Sequence, residues 1–298
     1  MVGAFDVGTN SVLLLVAQVH GGVISSVLLN EERVPRLGQG SAHDGDLARD
    51  AILRTVEAIA ELRGLAQQYG VQVWRAVATS ATRDAPNSGV LVTEVERRTG
   101  ITLEVIDGER EALLSFRGVS GDPATPEGPL IVVDVGGGST EYMWGMHGDV
   151  SFATSVNIGS NRLQQAVASL DPLPQGGVDT LRVTARAALQ SGLRRAMPPK
   201  GAHLVVVGGT ANTLIAIEQR ATDQAERPTL TRMRLVHWMR LFAESTAHER
   251  AQIPGMPSAR VDTVVTGTAI LLEMLDVLGL ASASVSHRGL RYGLAVSA

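Results

Sequence analysis

The chain has 298 residues, 44% hydrophobic and 19% charged, with a formal net charge of −4. That length holds two domains of ordinary size, and that composition buries cores and excludes a disordered chain. The absence of cysteine excludes disulfides, thiolate metal sites and a cysteine nucleophile, and it fits a reducing, cytoplasmic compartment. In chain order, the first apolar run is interrupted by Asp6, with no basic segment before it, so no signal peptide is expected. No run approaches the ~18 apolar residues of a membrane span. With 3% aromatics and no positive excess, no nucleic-acid or membrane partner is expected.

The opening reads strand, Asp6-Val-Gly8-Thr9-Asn10-Ser11, then an apolar run over 12–16. Residues 23–29 read as a strand and 31–46 as a polar, glycine-bearing loop, in which His43-Asp44 has no second histidine-rich partner to suggest a metal. Residues 47–66 carry helical spacing, with Asp44 or Asp46 as the cap. Residues 71–78 alternate as a strand. A polar loop over 79–87 follows it, containing Arg83 and Asp84, at the strand edge where open α/β sheets bind ligands. Taken alone, Arg83 reads either as a ligand contact or as a surface salt bridge to Asp84. A helix over 90–99 and a strand over 101–106 lead to the turn Asp107-Gly108. The next helix starts with Glu109 and Glu111 in its first turn, where carboxylates commonly serve the helix dipole. Residues 121–128, with two prolines, read as a linker.

The second half opens on the densest motif, an apolar strand over 130–133, then Asp134, Gly136, Gly137, Gly138, Ser139, Thr140 and Glu141. Three consecutive glycines suit either an ordinary glycine-rich β-turn or a tight turn whose N–H groups meet an anion, and two carboxylates beside phosphate suit Mg²⁺. The same strand–Asp-x-Gly–turn–strand unit occurs at Asp6 and Gly8, and a duplicated unit suggests two similar lobes facing each other across a cleft. Strands over 141–144 and 150–155 continue the sheet. Residues 157–163 lead into a helix, and a helix over 178–196 follows the Pro/Gly loop 171–177. A buried strand over 204–207 ends in a third glycine turn before a helix, Gly208-Gly209-Thr210, which close strand–helix packing alone would also explain. Helices over 231–245 and 258–278, a strand over 283–286 and a helix from Arg288 complete the chain.

These pieces together resemble the exopolyphosphatase and guanosine pentaphosphate phosphohydrolase (Ppx/GppA) family, within the actin-like ATPase superfold. The matching motifs are DVGTNS from Asp6, ATSATRDAPN from Ala78, GEREA from Gly108, DVGGGSTE from Asp134, SVNIGSNRL from Ser155, GGTANTL from Gly208 and VSHRGLRYG from Val285. The resemblance implies an α/β fold of two ribonuclease-H-like lobes, 1–121 and 122–298, with an interlobe cleft. The last helix, about 288–298, is expected to pack back towards the first lobe, and the three glycine loops to converge on the cleft.

The implied activity is release of terminal orthophosphate from inorganic polyphosphate, assisted by Mg²⁺ or its substitute Mn²⁺. Guanosine pentaphosphate is the alternative substrate. A non-enzymatic polyphosphate or nucleotide sensor is the binding-module alternative, and a kinase or ATPase the rival enzyme class. The family's catalytic glutamate matches Glu111, its metal carboxylates match Asp134 and Glu141 with Asp6 as a third, and Arg83 matches the arginine facing substrate phosphate. Substrate binding falls to Thr9, Asn10, Ser11, Gly136, Gly137, Gly138, Ser139, Thr140, Gly208, Gly209 and Thr210. The resemblance allows a homodimer. Two positions depart from the family: Asp107 stands where serine is common, and Leu13 where arginine is common. Leu13 removes a cation from the substrate's reach, which favours polyphosphate over guanosine pentaphosphate.

Overall fold

The computed structural model describes residues 1–40, 45–167, 171–174, 176–193, 198–222 and 229–297. His43, Asp44 and the end of the helix expected over 178–196 lie outside them. The chain divides into two compact units, Met1–Gly121 with Arg288–Ala298, and Asp122–His287.

The first unit contains β1 (Val2–Val7), β2 (Val12–His20), β3 (Val23–Arg33), α1 (Arg49–Ala66), β4 (Val73–Ala78), α2 (Ser80–Asp84), α3 (Ser88–Thr99), β5 (Glu104–Val105) and α4 (Gly108–Ser120). It also contains the C-terminal helix, Leu290–Val296. Among the described residues its sheet has the order β3-β2-β1-β4-β5. The first three strands form an antiparallel meander, while β4 and β5 run parallel to β1. β1 is central and apolar, so both its faces are covered. Phe5 and Val7 pack with Val12 and Leu14 against Ile59, Leu62 and Val95, from α1 and α3. On the opposite face Ala4 and Leu15 meet Leu114 of α4 and Leu290 and Leu294 of the C-terminal helix.

The second unit contains β6 (Leu130–Val135), β7 (Thr140–Met146), β8 (Asp149–Val156), α5 (Ser160–Val167), α6 (Gly177–Leu193), β9 (His203–Val207), α7 (Gly209–Thr222), β10 (Leu230–Thr231), α8 (Arg232–Glu244), α9 (Ala247–Ala251), α10 (Val264–Leu278) and β11 (Ser282–Val285). Its sheet order, β10-β11-β9-β6-β7-β8, repeats the ribonuclease-H-like pattern of the first unit, with β10 added at the edge. The expected α/β class with two such sheets is therefore observed. Helix α10 is apolar nearly all round and is buried from Val264 to Leu275, as such a helix must be. No helix among the described residues is long and apolar enough to cross a membrane.

Several local expectations are corrected. The N-cap position of helix α1 is Ala48 rather than Asp46, and Ala48 makes no side-chain cap bond. The entry is held instead by the Asn87 amide, which accepts from Leu47 N–H at 2.9 Å and donates to Leu47 O at 3.0 Å. The loop expected from residue 31 starts later, because β3 stays in register with β2 as far as Arg33 opposite Val12. The polar loop 79–87 contains α2, begun when Thr82 and Arg83 donate to Thr79 O. The strand expected over 101–106 pairs only at Glu104–Val105. The helix expected over 258–278 is broken after a 3-10 turn, because Arg250 Nε draws Val261 O out of the helical pattern at 2.9 Å. Residues 121–128 do not begin as an open linker. Asp122 is buried, accepts from Ser286 Oγ at 2.7 Å and ties the unit's start to the end of β11.

Candidate active site

The DVGGGSTE stretch forms a β-hairpin. Asp134 pairs with Glu141 and Val135 with Thr140, leaving Gly136–Ser139 as the loop, closed by Gly136 N–H donating to Ser139 O at 3.0 Å. Behind the loop lies the start of α5. Ser160 N–H donates to Gly136 O at 2.9 Å, and Asn161 and Arg162 N–H donate to Gly137 O at 2.9 and 3.1 Å. Arg162 Nε donates to Gly138 O at 2.8 Å. Thr140 Oγ1 ties the hairpin to Ile158 O at 2.6 Å. Gly159 is glycine for contact reasons: a Cβ there would sit 2.4 Å from the Gly137 carbonyl carbon.

Directly opposed residues of an antiparallel pair project from the same face with Cβ atoms about 4.5–5.5 Å apart. Asp134 and Glu141 therefore share one face beside the loop. Glu141 is 1% exposed, and Ser155 on β8, its cross-strand neighbour, donates to Glu141 Oε1 at 2.7 Å. The third loop meets this pair: a Cβ at Gly208 would lie 3.1 Å from Asp134 Oδ1 and 2.7 Å from Val135 O, and its φ is +101°. Only glycine leaves that side of the carboxylate open. Gly209 lies under the Arg260 guanidinium, and Thr210 packs against Gly267 of α10. No group of three or more Asp, Glu, His or Cys residues is arranged to hold a metal among the described residues. Two carboxylates next to a glycine loop fit a hard oxygen-seeking cation such as Mg²⁺, which takes one or two carboxylates and completes its shell with other oxygen ligands and water.

In the first unit the duplicated hairpin has the same closure. Val7 pairs with Val12 and Gly8 N–H donates to Ser11 O at 2.9 Å. Here the backing is irregular chain: Gly38 N–H donates to Thr9 O and Arg36 N–H to Asn10 O, both at 2.9 Å. Arg36 holds a positive φ of 55° to do so. Asp6 stands opposite Leu13, and Leu13 opposite Glu32. Glu32, not singled out in the sequence, accepts from Ser11 Oγ at 2.5 Å.

Arg83 and Glu111 meet in this unit. Arg83 Nη1 contacts Glu111 Oε2 at 2.8 Å and donates to Ile106 O at 3.1 Å, while Asp84 is 4.0 Å from Arg83 Nε. The salt bridge considered with Asp84 thus goes mainly to Glu111. Glu111 is 8% exposed whereas Glu109 is exposed. Asp107 is the N-cap of α4, accepting from Arg110 N–H at 2.8 Å. A short acceptor is what an N-cap requires, and serine or aspartate both supply it. The departure at this position therefore has a local structural cause.

A cavity of about 420 Å³ lies away from these loops, against α6, lined by Arg182, Arg186, Gln190 and Glu273 among others. Its arginines are committed to carboxylates. Fully buried Glu273 takes Arg182 Nε at 2.5 Å and Arg186 Nε at 2.6 Å, and Asp276 takes Arg232 Nε at 2.6 Å. The hydrogen bond from Arg232 holds the Asp276 carboxyl below its ordinary range, against the opposing effect of burial. This cluster braces α6, α8 and α10.

Two ribonuclease-H-like units, each with an Asp and a glycine hairpin at the carboxyl end of its central strand, define an α/β protein of a phosphate-handling type. A model described as the Ppx/GppA phosphatase family matches residues 15–298, so the chain belongs to that family. It is 35% identical to exopolyphosphatase 2 of Mycobacterium tuberculosis over 99% of this chain and 98% of that protein. Among solved structures, the Aquifex aeolicus Ppx/GppA enzyme is similar at 30% identity and a TM-score of 0.81, over 100% of this chain and 99% of that one. An exopolyphosphatase from Cytophaga hutchinsonii is similar at 26% identity and a TM-score of 0.88, over 98% and 95%.

Proposed function

We propose that the protein is an exopolyphosphatase, removing terminal orthophosphate from inorganic polyphosphate. The observation that supports this best is the Asp134–Glu141 pair beside a loop whose three glycine carbonyls are held from behind. That arrangement leaves carboxylates for a cation and N–H groups for phosphate oxygens. The relatives that match end to end and are named exopolyphosphatases favour polyphosphate among phosphoanhydrides.

In this reading Asp134 and Glu141 hold Mg²⁺ or Mn²⁺, with Asp6 as a further carboxylate. Held there, the cation neutralises charge on the phosphate being transferred. The Gly136–Ser139 loop, Thr140 and Gly208–Thr210 bind phosphate oxygens in the second unit, and Thr9, Asn10 and Ser11 do so in the first. Glu111 accepts the proton of the attacking water, whose oxygen bonds to the terminal phosphorus while the bridging P–O bond breaks and its oxygen leaves with the shortened chain. Arg83 fixes the Glu111 carboxylate through the 2.8 Å contact. Apolar Leu13, between Asp6 and Glu32, supplies no cation for the additional phosphates of a nucleotide.

Phosphate release from long polyphosphate, tripolyphosphate, guanosine pentaphosphate and ATP, with and without chelator, tests the reading. Polyphosphate is expected to show the highest kcat/KM, abolished by chelation and restored by Mg²⁺. A higher kcat/KM for guanosine pentaphosphate would overturn the substrate assignment.

A further inference from the structure

The start of α5 is an obvious place for an anion, yet its first N–H groups are occupied by protein carbonyls. Ser160 N–H serves Gly136 O, and Asn161 and Arg162 N–H serve Gly137 O. The third loop carbonyl, Gly138 O, is served by the Arg162 side chain through Nε at 2.8 Å. These peptides are trans, the cis bond among the described residues being Asp171–Pro172. In a planar trans peptide the C=O of one residue points opposite to the N–H of the next. Turning the carbonyls of Gly136, Gly137 and Gly138 towards α5 therefore turns the N–H groups of Gly137, Gly138 and Ser139 away from it. The helix does not bind the anion itself; it orients a loop that does.

The three carbonyls are not held alike. Backbone donors of a helix hold the first two and move only if the helix does. The third depends on one side chain. It belongs to the Gly138–Ser139 peptide, and glycine on its amino side permits rotation that a side chain would restrict. A peptide free to rotate needs an external hold if its N–H is to keep one direction.

We propose that Arg162 is a positioning residue of the phosphate loop, fixing Gly138 O so that the Ser139 N–H stays aimed at substrate phosphate; this rests on the loop's reading as a phosphate site. Arginine suits the task because Nε–H is directed and lies along the chain, whereas a lysine ammonium is a mobile point charge. The backbone N–H of Arg162 serves Gly137 O, so one residue holds two successive carbonyls. Arg162 is solvent-exposed, so a small solute can reach its place.

The test uses the full-length enzyme and the variants Arg162→Ala and Arg162→Lys, assayed for polyphosphate hydrolysis and thermal stability. Losing one such hydrogen bond should raise KM for polyphosphate about tenfold, with a smaller change in kcat and nearly unchanged Tm. Arg162→Lys should keep the defect, and methylguanidinium should lower the raised KM of Arg162→Ala. Wild-type KM in both variants, or full recovery by lysine, overturns the inference, the latter by showing that charge alone matters. If Arg162→Ala does not fold, Arg162→Lys decides alone. A wild-type enzyme inactive on polyphosphate would instead overturn the underlying functional reading, so the two failures are distinguishable.

Discussion

The two glycine hairpins close with the same bond but are supported differently. Gly136–Ser139 rests on a helix start and a guanidinium, whereas Gly8–Ser11 rests on backbone N–H groups of irregular chain, one of them at a strained Arg36. The strands beneath them also differ. In the second unit the residues facing one another across three strands are Asp134, Glu141 and Ser155; in the first they are Asp6, Leu13 and Glu32. One duplicated backbone thus carries two different chemistries. The second unit concentrates acid beside its loop, and a serine orients the buried glutamate. The first interrupts its acids with leucine and brings buried Glu111, paired with half-buried Arg83, to the same sheet edge. Duplication preserves the turn; cross-strand neighbours decide what the turn serves.

The strongest way to break this comparison is at Glu111. Glu111→Ala should lower kcat by about 10²–10⁴ with substrate binding retained, and exposed Glu109→Ala should change little, as read by steady-state phosphate release. The reverse order would move the proton acceptor to Glu109. The acid pair comes next. Asp134→Asn should cost about 10²–10³ in kcat and raise the Mg²⁺ required, and Asp6→Asn should cost less, since it has leucine rather than glutamate opposite. Equal losses would erase the distinction between the hairpins.

Smaller effects concern stability. Asp276 is held below its ordinary carboxylate value of 3.8 by Arg232. The sign is that of a depressed acid: its contribution is present above the unfolded value and is lost as pH falls through the lower folded one. Melting curves of Asp276→Asn and the parent protein should therefore differ near neutrality and converge in strong acid. A constant difference at every pH would separate Asp276 from acid unfolding. The smallest change is at the α4 cap. Asp107→Ala should cost about 1 kcal/mol in denaturant unfolding while Asp107→Ser costs less, because only alanine removes the acceptor.

Motif and period made much of this molecule legible. The strand–Asp-x-Gly–turn–strand repeat announced both hairpins, because side-chain alternation and glycine are local properties of the chain. The family, α/β class and long helices followed for the same reason. Some missed features also had local signals. Thr246 and Glu249 form a capping box at the start of α9, and the spacing T-x-x-E marks it. Asp107 before Gly108, at a position where the family commonly has serine, carried a cap signal of the same kind.

What the sequence by itself determined is the turn chemistry, the apolar strands and the residue types gathered at them, since each depends on neighbours a few positions apart. Only the tertiary structure decided the contacts made across strands and helices. Ser155 finds Glu141 through register, Asn87 holds Leu47 just before α1 from 40 positions away, and Arg83 prefers Glu111, 28 positions away, to adjacent Asp84. Those choices depend on distance and direction in space, which folding sets after the chain has brought remote donors and acceptors within about 3 Å of one another.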